Sequence, residues 1–137
     1  MKRKLLSIAA FLALILVVGC EIEPQENFQF VPLEVISADV PDAFTLNAEH
    51  NMEITFRRPD NCTFFHDFDI SVESSSERNI VVIGSTLTQE GCVENSAEGN
   101  ATLRFVAIEN APYTFRFYTG IDQNGEPIYL EYIVPVE

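Results

Sequence analysis

Apolar and polar residues alternate most regularly in Phe44-Thr45-Leu46-Asn47-Ala48-Glu49-His50-Asn51-Met52-Glu53-Ile54-Thr55-Phe56. Every even position except His50 is apolar, and every odd position is polar. A period of two puts one face in a core and the other in water, so this segment predicts β structure. It is long for one strand, and a turn at Glu49-His50-Asn51 divides it into two. The same pattern predicts strands over 28–36, 70–73, 80–87, 101–108, 113–119 and 128–134. Pro32 marks the first as an edge or bulged strand. Ile80-Val81-Val82-Ile83 is β-branched throughout, as expected of a strand covered on both faces.

Turn chemistry falls between these runs. Val40-Pro41-Asp42, Arg58-Pro59-Asp60-Asn61, Ser74-Ser75-Ser76 and Asn110-Ala111-Pro112 all break the alternation. Asn124-Gly125 is the best hairpin signal in the chain. Past the N-terminal region no stretch keeps a helical period. Seven to eight short strands with regular turns predict an all-β sandwich or barrel, in one domain over 28–137.

The N-terminus reads differently. Met1-Lys2-Arg3-Lys4 is basic, and Leu5 to Val18 is apolar apart from Ser7. That run is shorter than the ~20 residues a membrane-crossing helix needs. It predicts a cleaved helical signal peptide over 1–19. Val17-Val18-Gly19-Cys20 resembles a bacterial lipobox. The resemblance implies cleavage before Cys20, a diacylglycerol thioether on its sulfur and acylation, such as palmitate, of the new amine. Two or three acyl chains give stable membrane anchoring where one does not. Residues 20–27 then form a lipid-anchored acidic tether, at most ~23 Å when extended. Acidic residues after the lipidated cysteine are similar to the surface-export signal of Bacteroidota lipoproteins. This implies the outer membrane of the cell envelope, with the periplasmic and surface-facing leaflets both open.

Charge narrows the function. The chain has 137 residues, 8 Lys+Arg and 21 Asp+Glu. Without residues 1–19 there remain 118 residues, five arginines, no lysine and all 21 acids, a side-chain balance of −16 (5 − 21). A nucleic-acid binder needs a basic face to replace counterions, so that class is excluded. No nucleophile-elbow, zinc-protease or phosphate-loop motif occurs, and the domain is expected to be non-catalytic, without a metal or cofactor. The layout resembles the immunoglobulin-like antiparallel β-sandwiches of small Bacteroidota envelope lipoproteins. The resemblance lies in the Val-Pro-Asp turn, the alternating pair and the closing Tyr132-Ile133-Val134-Pro135-Val136. A lipocalin-type barrel is the alternative.

With Cys20 assigned to lipid, Cys62 and Cys92 remain, and an even pair in an exported domain predicts a disulfide. Phe64-Phe65-His66-Asp67-Phe68-Asp69 mixes aromatic and polar residues more densely than any other segment. It reads either as a binding loop, with Arg57, His66, Asp67 and Asp69 as contact residues, or as a strand start whose phenylalanines fill the core. Asp122-Gln123-Asn124-Gly125-Glu126 mimics part of a calcium loop, but a hairpin turn accounts for it. Arg57-Arg58 is expected to neutralise neighbouring acids. These features predict a monomeric binding or scaffold module, held to the membrane by its lipid and recognising an envelope protein or glycan. A small surface hydrolase or hydrolase inhibitor is the alternative.

Overall fold

The computed structural model describes residues 27–88 and 90–137; the expected signal peptide, Cys20 and the expected tether up to residue 26 lie outside the described residues. Eight strands form the domain: β1 (Phe28–Leu33), β2 (Val35–Asp39), β3 (Glu49–Asp60), β4 (Thr63–Ser74), β5 (Glu77–Leu87), β6 (Glu94–Val106), β7 (Tyr113–Ile121) and β8 (Pro127–Val134). They build an all-β sandwich of two packed sheets, not a closed barrel. One sheet has five strands, with β4 on one side of β5, β1 and β7 on its other side, and β8 beyond β7. The second has three, in the order β2-β3-β6. The pairing is mixed rather than antiparallel throughout, because β5 and β7 run parallel over Glu77–Ile80 and Thr114–Phe117.

The predicted first strand is two strands. β1 pairs with β5, the chain crosses at Glu34, and β2 pairs with β3 in the other sheet. Pro32, which cannot donate to a ladder, sits just before the crossing. The predicted turn at Glu49-His50-Asn51 is absent. The chain turns instead at Leu46-Asn47, where Asn47 takes φ 60°. Asparagine tolerates this left-handed conformation better than most residues. His50 Nε2 accepts the Thr45 N–H at 2.9 Å, and its ring lies 5.0 Å from Phe44, so it braces the turn from the first residues of β3. Pro59 does not end β3. It falls at a bulge between Arg58 and Asp60, one of the few places a proline fits in a ladder.

The core is aromatic. Phe44, Phe56, Tyr113, Phe115 and Phe117 are fully buried with Leu33, Met52, Ile54, Ile80 and Val82. Phe44 and Phe105 meet Tyr113 and Phe115 at ring separations of 4.9 to 6.1 Å, mostly edge to face. That geometry suits the ring quadrupole. Gly99 is required by close approach, since a Cβ there would lie 2.6 Å from the Phe56 ring. The Tyr113 hydroxyl accepts the backbone N–H groups of Ile108 (3.1 Å) and Glu109 (3.0 Å), tying the β6–β7 connection to the start of β7. Tyr113→Phe keeps the ring and strands both donors. It is expected to destabilise the domain by about 1–3 kcal/mol in urea unfolding. An unchanged midpoint and slope would show that these bonds contribute nothing.

Candidate functional site

The sheets present unlike outer faces. On the three-stranded sheet, polar side chains bond across strands: Thr55 Oγ1 to Asn100 Oδ1 at 2.8 Å, and Thr102 Oγ1 to Glu53 Oε2 at 2.8 Å. The β7–β8 part of the five-stranded sheet mixes polar and apolar side chains, with Ile133 exposed and Tyr118 meeting Tyr129. Arg116 Nε donates to Glu131 Oε2 at 2.9 Å and its Nη2 lies 3.5 Å from Glu77. The bond to Glu131 pushes the guanidinium pKa up against a smaller opposing effect of desolvation, so Arg116 stays charged.

The β1–β5–β4 part is aromatic. Phe28 and Phe30 alternate along β1 and both stay exposed. His66 stacks on Phe30 with ring centroids 4.5 Å apart. A shallow open groove of about 340 Å³ lies here, lined by Phe30, His66, Asp67, Phe68, Asp69 and Ile83. His66 sits at a bulge between Phe65 and Asp67. A bulge re-aims side chains, and here the imidazole reaches the β1 ring across β5. The segment, read as a binding loop or as a strand start, is part of a long strand. Phe65 and Phe68 turn inward, with Phe65 5.9 Å from Phe56 and 5.0 Å from Phe68. Phe64 is half-exposed beneath the Arg58 guanidinium, 5.7 Å from the ring centroid.

Of the residues singled out in the sequence, His66, Asp67 and Asp69 come together, while Arg57 is elsewhere. Arg57 lies on β3, with its Nε 3.6 Å from Glu34 Oε2 and its Nη1 donating to Ser96 Oγ at 3.3 Å. It lines a separate hollow with Pro32, Leu33, Glu34 and Pro59. Sequence reading missed Phe30 and Ile83. The available signal was that both alternate sets of β1 are apolar, Phe28 and Phe30 on one face and Val31 and Leu33 on the other. Asp122 is committed to its turn, its Oδ1 accepting the N–H groups of Asn124 (2.7 Å) and Glu126 (3.0 Å), with Gly125 at φ 84°. Among the described residues, no three His, Cys, Asp or Glu side chains gather in a metal-holding arrangement.

Cys62 and Cys92 are disulfide-bonded, with Cα atoms 5.6 Å apart, and join the β3–β4 turn to the β5–β6 connection. Hydrogen bonds join the same two segments: Asn61 Oδ1 accepts the Val93 N–H at 2.8 Å, and the Asn61 N–H donates to the Val93 carbonyl at 3.3 Å. Within the β3–β4 turn, Asp60 Oδ1 accepts from Cys62 N–H (2.9 Å) and Thr63 Oγ1 (2.7 Å). The described chain enters at this end, where the Asn27 carbonyl accepts the Thr88 N–H at 2.9 Å. Asn27 and the disulfide therefore share one end of the sandwich. No protein-family profile, curated protein or solved structure matches the chain. Replacing both cysteines by serine is expected to cost about 3–4 kcal/mol, read by urea unfolding, and to steepen the denaturant dependence because the unfolded chain expands. Equal stability with and without the bridge would show that the hydrogen bonds alone hold the two segments.

Proposed function

We propose that this protein is a lipid-anchored binding module of the bacterial cell envelope, non-catalytic, held to the outer membrane through Cys20. The observation that carries the binding reading is the exposed aromatic face of Phe28, Phe30 and Phe64, with His66 stacked on Phe30. Large apolar side chains gathered on one part of a sheet's outer face favour a contact surface. An open groove with acidic walls suits recognition of another macromolecule better than chemistry that needs water excluded. The anchoring reading rests on the basic start, the apolar run and Val17-Val18-Gly19-Cys20. An immunoglobulin-like fold is supported by the two-sheet layout and by Tyr113. That residue begins a strand and bonds through its hydroxyl to backbone a few residues upstream, as the tyrosine corner of those domains does. The parallel β5–β7 pair is a departure from the antiparallel pattern.

Metabolic labelling with an alkyne fatty acid tests the anchor. Wild-type protein is expected to carry label and partition with membranes, and Cys20→Ala to lose both; unlabelled wild-type protein released from the membrane would refute anchoring. Crosslinked capture from the native envelope tests the face. Phe30→Ser and His66→Ala are expected to lose a captured partner, with stability changed by no more than about 0.5 kcal/mol. Arg57→Ala, on the other sheet, is expected to keep it. Equal capture by all three variants would refute the aromatic face as the contact surface.

A further inference from the structure

The five-stranded sheet ends in β4, whose outer edge pairs with no strand among the described residues. Three of the other edges are guarded. β1 carries Pro32, and β8 begins at Pro127 and is followed by Pro135. β2 is short, and two of its backbone groups are taken: the Val35 carbonyl accepts from Thr119 Oγ1 at 2.7 Å, and the Ala38 N–H donates to the Tyr132 hydroxyl at 3.2 Å. β6 is open but offers little to bury, since Glu94-Asn95-Ser96-Ala97-Glu98-Gly99-Asn100 is small and polar. β4 differs from all of these. Between its two bulges the ladder is regular from Asp67, paired with Ile83, to Val72, paired with Arg78. An antiparallel strand turns both backbone groups of every second residue away from its neighbour, so this stretch offers donors and acceptors, apart from the Phe68 N–H, which donates to Asp67 Oδ1 at 2.8 Å.

Its two side-chain rows are chemically distinct. Asp67 and Asp69 share the outer face with Ile83 and Val81, while Phe68, Ile70 and Val72 share the inner face with Val82, Ile80 and Arg78. The inner row should be covered, yet Ile70 is 44% and Val72 66% exposed. The three-stranded sheet is too narrow to reach them. We propose that β4 takes a sixth strand: an extended partner segment that alternates basic and apolar residues, its basic row facing Asp67 and Asp69 and its apolar row covering Ile70 and Val72. Backbone pairing supplies affinity, and the acidic row selects the charge. A second copy of this chain is disfavoured, because antiparallel self-pairing would bring the Asp67 and Asp69 rows against each other. The acids thus oppose self-association while leaving the edge open to a basic strand.

This deepens the proposed binding role and rests on it. Strand addition is read at the β4 backbone, whereas the binding face is read by loss of capture on substituting Phe30 or His66, so either can fail alone. The probe is an acetylated, amidated peptide of alternating lysine and valine, about eight residues long. It is titrated into the full chain in detergent, beside the same peptide N-methylated at alternate residues and one with its lysines and valines in separate blocks. The alternating peptide is expected to bind at least about tenfold tighter than either control, since the N-methylated peptide loses backbone pairing and the blocked peptide loses the match of its side-chain rows, while both keep the charge. It is also expected to slow hydrogen exchange over 67–72. Asp67→Asn combined with Asp69→Asn is expected to weaken it several-fold at unchanged melting temperature. Equal affinity for all three peptides would reduce the effect to bulk electrostatics and overturn the proposal. So would protection outside β4, or a concentration-dependent dimer that the peptide cannot dissociate.

Discussion

Five strands pack against three, and the mismatch in width governs the rest of the molecule. Rings from both sheets fill the interior where they overlap: Phe44 and Phe105 on one side, Tyr113, Phe115 and Phe117 on the other. Burying one such ring contributes several kilocalories, and truncating it costs about 3–5 kcal/mol. The overlap centres on β3, β6 and β7. β4 lies at its margin, with Phe65 meeting Phe56 and Phe68 packed against the core, while Ile70 and Val72 farther along stay exposed. The Cys62–Cys92 bridge and the Asn61 hydrogen bond to Val93 support the strand where it begins.

The same geometry ties structure to the proposed role. The described chain begins at the disulfide end, where Asn27 bonds Thr88, and β4 runs from that end towards Ser74 at its far hairpin. Net negative charge keeps the domain apart from nucleic acid and from copies of itself. Against that background a basic, extended segment gains from both the acidic row and the free backbone.

Local chemistry made part of this legible in the sequence. Asn124-Gly125 marked its hairpin, since a positive φ at Gly125 is what that turn requires. The even cysteine pair marked the bridge, and Ser74-Ser75-Ser76 marked the β4–β5 turn. Boundaries failed where the period of two was broken or imitated. His66 occupies a bulge, so the alternation from Thr63 to Asp69 is interrupted and the segment resembles a loop. Leu46 and Ala48 continue the β3 alternation by residue type, yet the chain there is turning. β6 begins well before its apolar residues because Gly99 and its small neighbours make room for Phe56. The site was legible only where its residues are neighbours in sequence. His66, Asp67 and Asp69 were grouped for that reason, and Arg57 was added although a different sheet holds it. Phe30 and Ile83 join them through the β1–β5–β4 register, which no local pattern encodes, and the parallel β5–β7 pair is equally non-local.

The central claim is that β4 is a bare edge with apolar residues left to cover. Native-state hydrogen exchange of the full chain, resolved by residue, tests it most directly. Alternate amides over 67–72 are expected to exchange at least about a hundredfold faster than those of β5 and β7, which open only with the domain. Uniform protection of 67–72 at the level of β5 would mean that the edge is already covered in the protein, and would contradict the account.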